Sequence, residues 1–199
     1  AAIAREIALD RKRAEEAARA AAAKAKAAAA AAAAKAKAEN RPAPVAPPVA
    51  KPKAGGDYLA ATPEAAKLSA AFESNRGSLP WPVAAGTITE RFGNHKIGQA
   101  NYDRPGITIQ TAEGASVRAV FNGEVRMVSS IMGGYYVLIR HGQFFTVYSN
   151  LKTVSVGVGD KVATKQTIGT VALSAGVPQM EFQIFRGTAK QNPEAWIAK

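Results

Sequence analysis

Val177-Pro178-Gln179-Met180-Glu181-Phe182-Gln183-Ile184 alternates polar and apolar side chains over its last six positions. Successive side chains of a strand point to opposite faces, so Met180, Phe182 and Ile184 share one face and Gln179, Glu181 and Gln183 the other. The first is a core face. The second is polar and carries one carboxylate. A strand of this kind needs partners on both sides, and the chain supplies candidates.

From Leu79 onward the hydrophobic period is two. Residues 116–119 and 124–128 flank Asn122-Gly123, a hairpin signal. Residues 135–140 and 144–149 flank His141-Gly142-Gln143, which predicts a second hairpin with a slightly longer turn. Residues 154–158, 161–162, 167–173 and 180–184 complete a run of short strands separated by glycines. The expectation is a mainly β domain over 78–199, a barrel-like sandwich.

Upstream, the composition changes twice. Residues 1–39 are nearly all Ala, Lys, Arg and Glu, the best helix formers. No Leu or Ile seam runs on beyond Ala17, and Lys24 and Lys26 lie about 200° apart on a helix. This predicts a solvated helical arm, a possible coiled-coil remnant. Residues 40–61 carry Pro42, Pro44, Pro47, Pro48 and Pro52 and then Gly55-Gly56, a semi-rigid linker with a hinge. Thr62-Pro63-Glu64 then starts a short amphipathic helix over 62–77, with a hydroxyl cap, a proline in the first turn and an acid at the positive end of the dipole. Ala61, Ala65, Leu68 and Phe72 form its narrow apolar stripe, and Asn75-Arg76-Gly77 stops it.

The 199 residues include no cysteine, which excludes disulfides and thiolate metal sites. No apolar run approaches the roughly 18 residues of a membrane span. No signal peptide is visible, and the start in mid-helix at Ala1-Ala2-Ile3-Ala4 points to a fragment of a longer, exported precursor. The net charge is +11, of which residues 1–56 hold +7 and residues 57–199 hold +4. No aromatic residue interrupts the basic arm before Tyr58, which argues against nucleic acid as a partner.

The segment 119–123, Ile139-Arg140-His141-Gly142, Thr146-Val147-Tyr148, the segment 159–162 and Ile168-Gly169 follow one another as in LytM/lysostaphin-type peptidoglycan endopeptidases. The resemblance covers 79–199 and implies the LytM fold. In active members zinc is held by His-x-x-x-Asp and by the second histidine of His-x-His, and two further histidines assist the water. On this chain the ligand positions fall on Arg104, Thr108 and Glu181, and the helper positions on Asn150 and Gln179. All five are changed. Catalytic zinc needs about three good ligands and an open position, and only Glu181 is a competent one. Arg104 and Glu181 are expected to pair where the metal would be. His95 and His141, the only histidines, read as structural.

Degenerate members preceded by a helical arm resemble EnvC-type murein hydrolase activators, and the junction from Leu68 to Val83 looks like theirs. That resemblance implies no catalysis and no cofactor. It implies a periplasmic protein of cell division that activates N-acetylmuramoyl-L-alanine amidases, with a membrane division complex engaged through the upstream arm. The partner-binding groove is expected at Arg104, Thr108, Tyr148, Asn150, Gln179, Glu181 and, at its rim, Arg186. Two alternatives stand beside this one: a peptidoglycan-binding or scaffolding module using the same groove, and an active metallopeptidase. The helix at 62–77 either restrains the groove as a regulatory element through Leu68 and Phe72 or packs permanently on the back of the domain. Burying those two side chains stabilises by about 2–4 kcal/mol.

Overall fold

The computed structural model describes residues 62–97, 100–131 and 133–199, together with isolated positions between Ala4 and Leu59. The chain divides into two compact units, Ala1–Ala61 and Thr62–Lys199. In the first, the described positions between Ala4 and Ala27 are helical. The expected linker, the hinge at Gly55-Gly56 and Ala61 lie outside the described residues. No described helix is long and apolar enough to cross a membrane.

The second unit opens with helix α1, Pro63–Ser74. Thr62 caps it as its sequence predicts, its Oγ1 accepting from the Ala65 N–H at 3.1 Å. Twelve residues with a narrow apolar stripe do not form a stable helix alone, so tertiary packing must supply the stability. Phe72, fully buried, supplies it. Its ring lies among Phe121, His141, Phe144 and Trp196, with centroids 4.7–5.4 Å away. Ser69, not Leu68, is the other buried side chain of this helix.

Among the described residues thirteen strands follow, all paired antiparallel: β1 (Thr87–Glu90), β2 (Gly93–Ile97), β3 (Ala100–Arg104), β4 (Ile107–Gln110), β5 (Ser116–Arg118), β6 (Gly123–Ile131), β7 (Gly134–His141), β8 (Phe144–Val154), β9 (Lys161–Val162), β10 (Thr167–Val171), β11 (Leu173–Ser174), β12 (Val177–Arg186) and β13 (Ala189–Gln191). Eleven of them form one large sheet with the path β1-β4-β12-β8-β7-β6-β9, and β10 joins β5 to β8. Strands β2 and β3 pair only with each other. The fold is mainly β, as expected, and among the described residues the sheet does not close into a barrel.

The strand that decides the fold is central: β12 lies between β4 and β8, and Met180, Phe182 and Ile184 are fully buried, as the alternation requires. Ile107 and Ile109 of β4 and Tyr148 and Leu151 of β8 join them in one core. The C-terminus closes over the start of the domain. Leu79 bonds through its N–H to Trp196 and through its carbonyl to Ala198, and the Trp81 Nε1–H donates to the Ala198 carbonyl at 2.8 Å.

The hairpin expected at His141-Gly142-Gln143 is β7–β8. Gly142 has φ +70°, and a Cβ there would lie 2.1 Å from Ser69 Oγ, so glycine is required twice over. The hairpin expected at Asn122-Gly123 does not form. Strand β5 pairs with β10, and β6 pairs with β7 and β9. Asn122 is engaged elsewhere: its Oδ1 accepts from the Thr164 N–H at 2.7 Å and its carbonyl lies 2.6 Å from His141 Nδ1. Gly123 serves close approach, since a Cβ would lie 2.5 Å from the Arg140 carbonyl. Of the segment expected as a strand at 154–158, only Val154 belongs to one, as the last residue of β8.

Candidate functional site

The polar face of β12 continues across its neighbours. Thr108, Glu181 and Ser149 stand in one row over β4, β12 and β8, and Gln110 stands opposite Gln179. The β2–β3 hairpin borders this face through Arg104 at its base. The β6–β7 turn borders it near Asn150: a Cβ on Gly134 would lie 3.4 Å from Asn150 Oδ1.

Within that face the structure joins Arg104 and Thr108 to a residue the sequence reading missed, Glu90 at the end of β1. Arg104 donates through Nη1 to Thr108 Oγ1 at 3.2 Å, and the Thr108 hydroxyl donates to Glu90 Oε2 at 2.6 Å. The Arg104 guanidinium forms an ion pair with Glu90 through Nη2. The expected pair between Arg104 and Glu181 is therefore corrected: Glu90, carried in by the β1–β4 pairing, reaches the guanidinium. Glu181 remains exposed and has no ion pair among the described residues. No local pattern marks Glu90. It lies 14 residues from Arg104 in sequence, and only the sheet order brings the two together.

Asn150, at a helper position, holds φ +61°, a left-handed conformation that asparagine tolerates better than most residues. Its Nδ2 donates to the Gln179 carbonyl at 2.5 Å and to the Ala172 carbonyl at 3.3 Å. It staples β8 to β12. This residue also breaks the alternation of β8, which corrects the placement of Tyr148. Tyr148 is fully buried on the core side, opposite Phe182, while its neighbour Ser149 joins the polar row. The Tyr148 hydroxyl accepts from the Val120 N–H at 2.9 Å, and burial pushes its pKa up to about 12. Arg186 is also corrected. It lies five residues along β12 from Glu181, roughly 17 Å, and belongs to α1: it pairs with Glu73 at 3.1 Å and sits over the Phe144 ring. Phe72 likewise lies at the β7–β8 turn end, where Ser69 of the same helix accepts from the Gln143 N–H, rather than over the polar row.

His141 is fully buried, 2.6 Å from the Asn122 carbonyl through Nδ1 and 2.9 Å from Thr146 Oγ1 through Nε2. Burial lowers its pKa to about 4, so the ring is neutral with its proton on Nδ1. The Thr146 hydroxyl then donates to Nε2, as neutral imidazole has one donor and one acceptor. His95, on β2, stacks on Tyr102 with ring centroids 5.5 Å apart, and its Nε2 lies 2.7 Å from the Arg91 carbonyl. The two histidines do not converge on each other or on Glu181.

These residues do not fit the zinc ion that the resemblance calls for. The positions that the resemblance assigns to ligands hold a guanidinium, a hydroxyl hydrogen-bonded to it, and one carboxylate. Among the described residues no group of three His, Cys, Asp or Glu side chains could hold a metal. The arrangement offers a polar, hydrogen-bonding sheet face with one open negative charge.

Residues 102–193 match peptidase family M23. The murein hydrolase activator EnvC of Escherichia coli (strain K12) is 30% identical over 128 residues, 62% of this chain and 30% of that protein. The cell division protein DipM of Caulobacter vibrioides (strain NA1000 / CB15N) is 28% identical over 141 residues, 68% of this chain and 22% of its own length. The chain thus spans less than a third of the curated relatives it matches. Among solved structures, the SpoIIQ–SpoIIIAH pore forming complex superposes with a TM-score of 0.55 at 22% identity, covering 62% of this chain and 93% of that one. A zinc containing peptidase from Vibrio cholerae gives 0.54 at 22% identity, covering 62% and 41%. At that identity these two establish the fold alone. Fold and family match agree: residues 102–193 match the peptidase family M23 model, in a sequence similar to EnvC.

Proposed function

We propose that this chain is a non-catalytic activator of N-acetylmuramoyl-L-alanine amidases, acting in the periplasm during cell division. The observation that carries the reading is the Glu90–Arg104–Thr108 cluster, in which Arg104 and Thr108 hold two of the three positions that the resemblance assigns to zinc ligands. A cation and its counter-ion there leave no Lewis acid and no activated water, so a hydrolytic step has no agent. What the site retains is a sheet face flanked by two hairpins, suited to receiving a protein segment. Relatives that are a murein hydrolase activator and a cell division protein support the same reading. The amidase docks on the face holding Arg104, Asn150, Gln179 and Glu181, with Thr108 buried beneath the Arg104–Glu90 pair rather than open to a partner, and the upstream helical arm engages a membrane division complex.

The test mixes the purified chain with candidate amidases and dye-labelled sacculi. Dye release by the pair, with none from the chain alone, is the expected result. Release by the chain alone overturns the reading in favour of a peptidase. Firm binding to sacculi without binding to any amidase overturns it in favour of a peptidoglycan-binding module using the same face.

A further inference from the structure

We infer that Glu90 is a positioning residue: acting through Arg104, it latches the β2–β3 hairpin in place as a wall of the docking face. That the hairpin contributes to docking rests on the activator reading above; the latch itself does not.

The hairpin stands apart from the rest of the domain. Its two strands pair only with each other, and among its described side chains none is buried. An isolated two-stranded hairpin is marginal in water, so something outside it must hold it. Phe92, just before it, packs against the core, but the tethers made by the described residues of the hairpin itself are polar. Arg104 reaches Glu90 and Thr108, and Asp103 pairs with Lys190 of β13. Just before the hairpin, Arg91 pairs with Glu194.

Exposure ranks these tethers. The Asp103 and Lys190 side chains are 48% and 44% exposed, where water screens the pair and little is gained. Arg104 is 23% exposed and Glu90 39%, so the carboxylate end is partly screened, but Thr108, which both of them meet, is nearly fully buried. Arg104 Nε is buried without a partner, so this guanidinium is already short of bonds. Removing Glu90 strands a largely desolvated charge. The guanidinium then turns out to water, and because it stands at the last residue of β3 the hairpin goes with it. The Arg104 guanidinium carbon also lies 5.5 Å from the Tyr102 ring centroid, a contact within the hairpin that does not tie it to the rest of the domain.

The experiment is hydrogen exchange on the full chain, with amidase affinity measured in parallel. Glu90→Ala should speed exchange of the amides between residues 93 and 104 at least tenfold and leave β7 and β8 unchanged. The exchanged pair, Glu90→Arg with Arg104→Glu, should restore protection. Lys190→Ala should change exchange less than threefold. Glu90→Ala should also weaken amidase binding at least fivefold. Unaltered exchange in Glu90→Ala overturns the latch, as does a Lys190→Ala effect equal to it. Faster exchange with unchanged amidase affinity removes the hairpin from the docking face. Absence of amidase binding by the parent chain counts against the activator reading alone, since exchange still judges the latch.

Discussion

Phe72 of α1 and His141 of β7 lie face to face, their ring centroids 5.0 Å apart and their planes 27° from parallel. One is the anchor of the helix and the other a neutral, buried imidazole at the base of the β7–β8 turn. The helix is therefore built into the domain's aromatic core at the end remote from the polar row. Phe144 and Asn150 are six residues apart on β8, about 20 Å.

That placement predicts what truncation does. Phe72→Ala should destabilise the second unit by about 3–5 kcal/mol, the usual range for a buried phenylalanine. Ser69→Ala leaves the Gln143 N–H without its acceptor, now 2.8 Å away, and should cost about 1–3 kcal/mol. The Glu73–Arg186 pair, half-exposed on both sides, should be worth less than about 1 kcal/mol. Urea unfolding of each variant measures this. A domain cut to begin at Leu79 should unfold at lower urea and bind an amidase no more tightly. Tighter binding by a folded truncation would return α1 to a regulatory role.

The buried imidazole also fixes a pH dependence. Burial lowers the His141 pKa from 6.5 to about 4 in the native state. Between those values the unfolded chain takes up a proton that the native chain refuses, so stability falls as pH falls and levels off below about 4. The full loss is about 3 kcal/mol. Tyr148 gives the alkaline counterpart, since burial raises its pKa to about 12 and stability falls as pH rises from 10. His141→Gln should flatten the slope between pH 6.5 and 4, relative to the parent, without touching the alkaline limb. An unchanged acid slope in that variant would show that His141 is not its source.

The parts legible in the sequence were those set by neighbours along the chain. The Thr62 cap, the His141-Gly142-Gln143 turn and the alternation of β12 each depend on residues within a few positions. Asn122-Gly123 carried the same kind of local signal and misled, because Thr164 and His141 capture the asparagine from far along the chain. Tyr148 was misplaced because one residue with positive φ, Asn150, shifts the parity of β8. Glu90 was invisible because its partner is chosen by sheet order. Alternation predicts a face; it does not predict which distant charge arrives there.

Metal content tests the account of the site given above. After dialysis against micromolar zinc the protein should retain none at stoichiometric level by elemental analysis. A chelator should leave its unfolding temperature unchanged, because Arg104 and Thr108, at two of the positions the resemblance assigns to zinc ligands, are bonded to each other and to Glu90. One zinc per chain, with a chelator-dependent fall in stability, would contradict that account of the site.

Glu181 and Arg186 share a strand and should nonetheless behave differently. Glu181 sits in the polar row between Thr108 and Ser149 with its carboxylate exposed, whereas Arg186 is occupied with Glu73 and the Phe144 ring. Reversing a charge at the centre of an interface typically costs about 1–3 kcal/mol of binding, and most of that appears in dissociation. Glu181→Lys should therefore weaken amidase binding by that amount while leaving thermal unfolding within about 0.5 kcal/mol of the parent, as for an ordinary surface substitution. Arg186→Glu should do the reverse, loosening α1 slightly and leaving amidase affinity alone. Surface plasmon resonance with both variants and the parent decides the matter. Equal losses of affinity would extend the docking surface along β12 to the α1 end, and a loss at Arg186 alone would move it there.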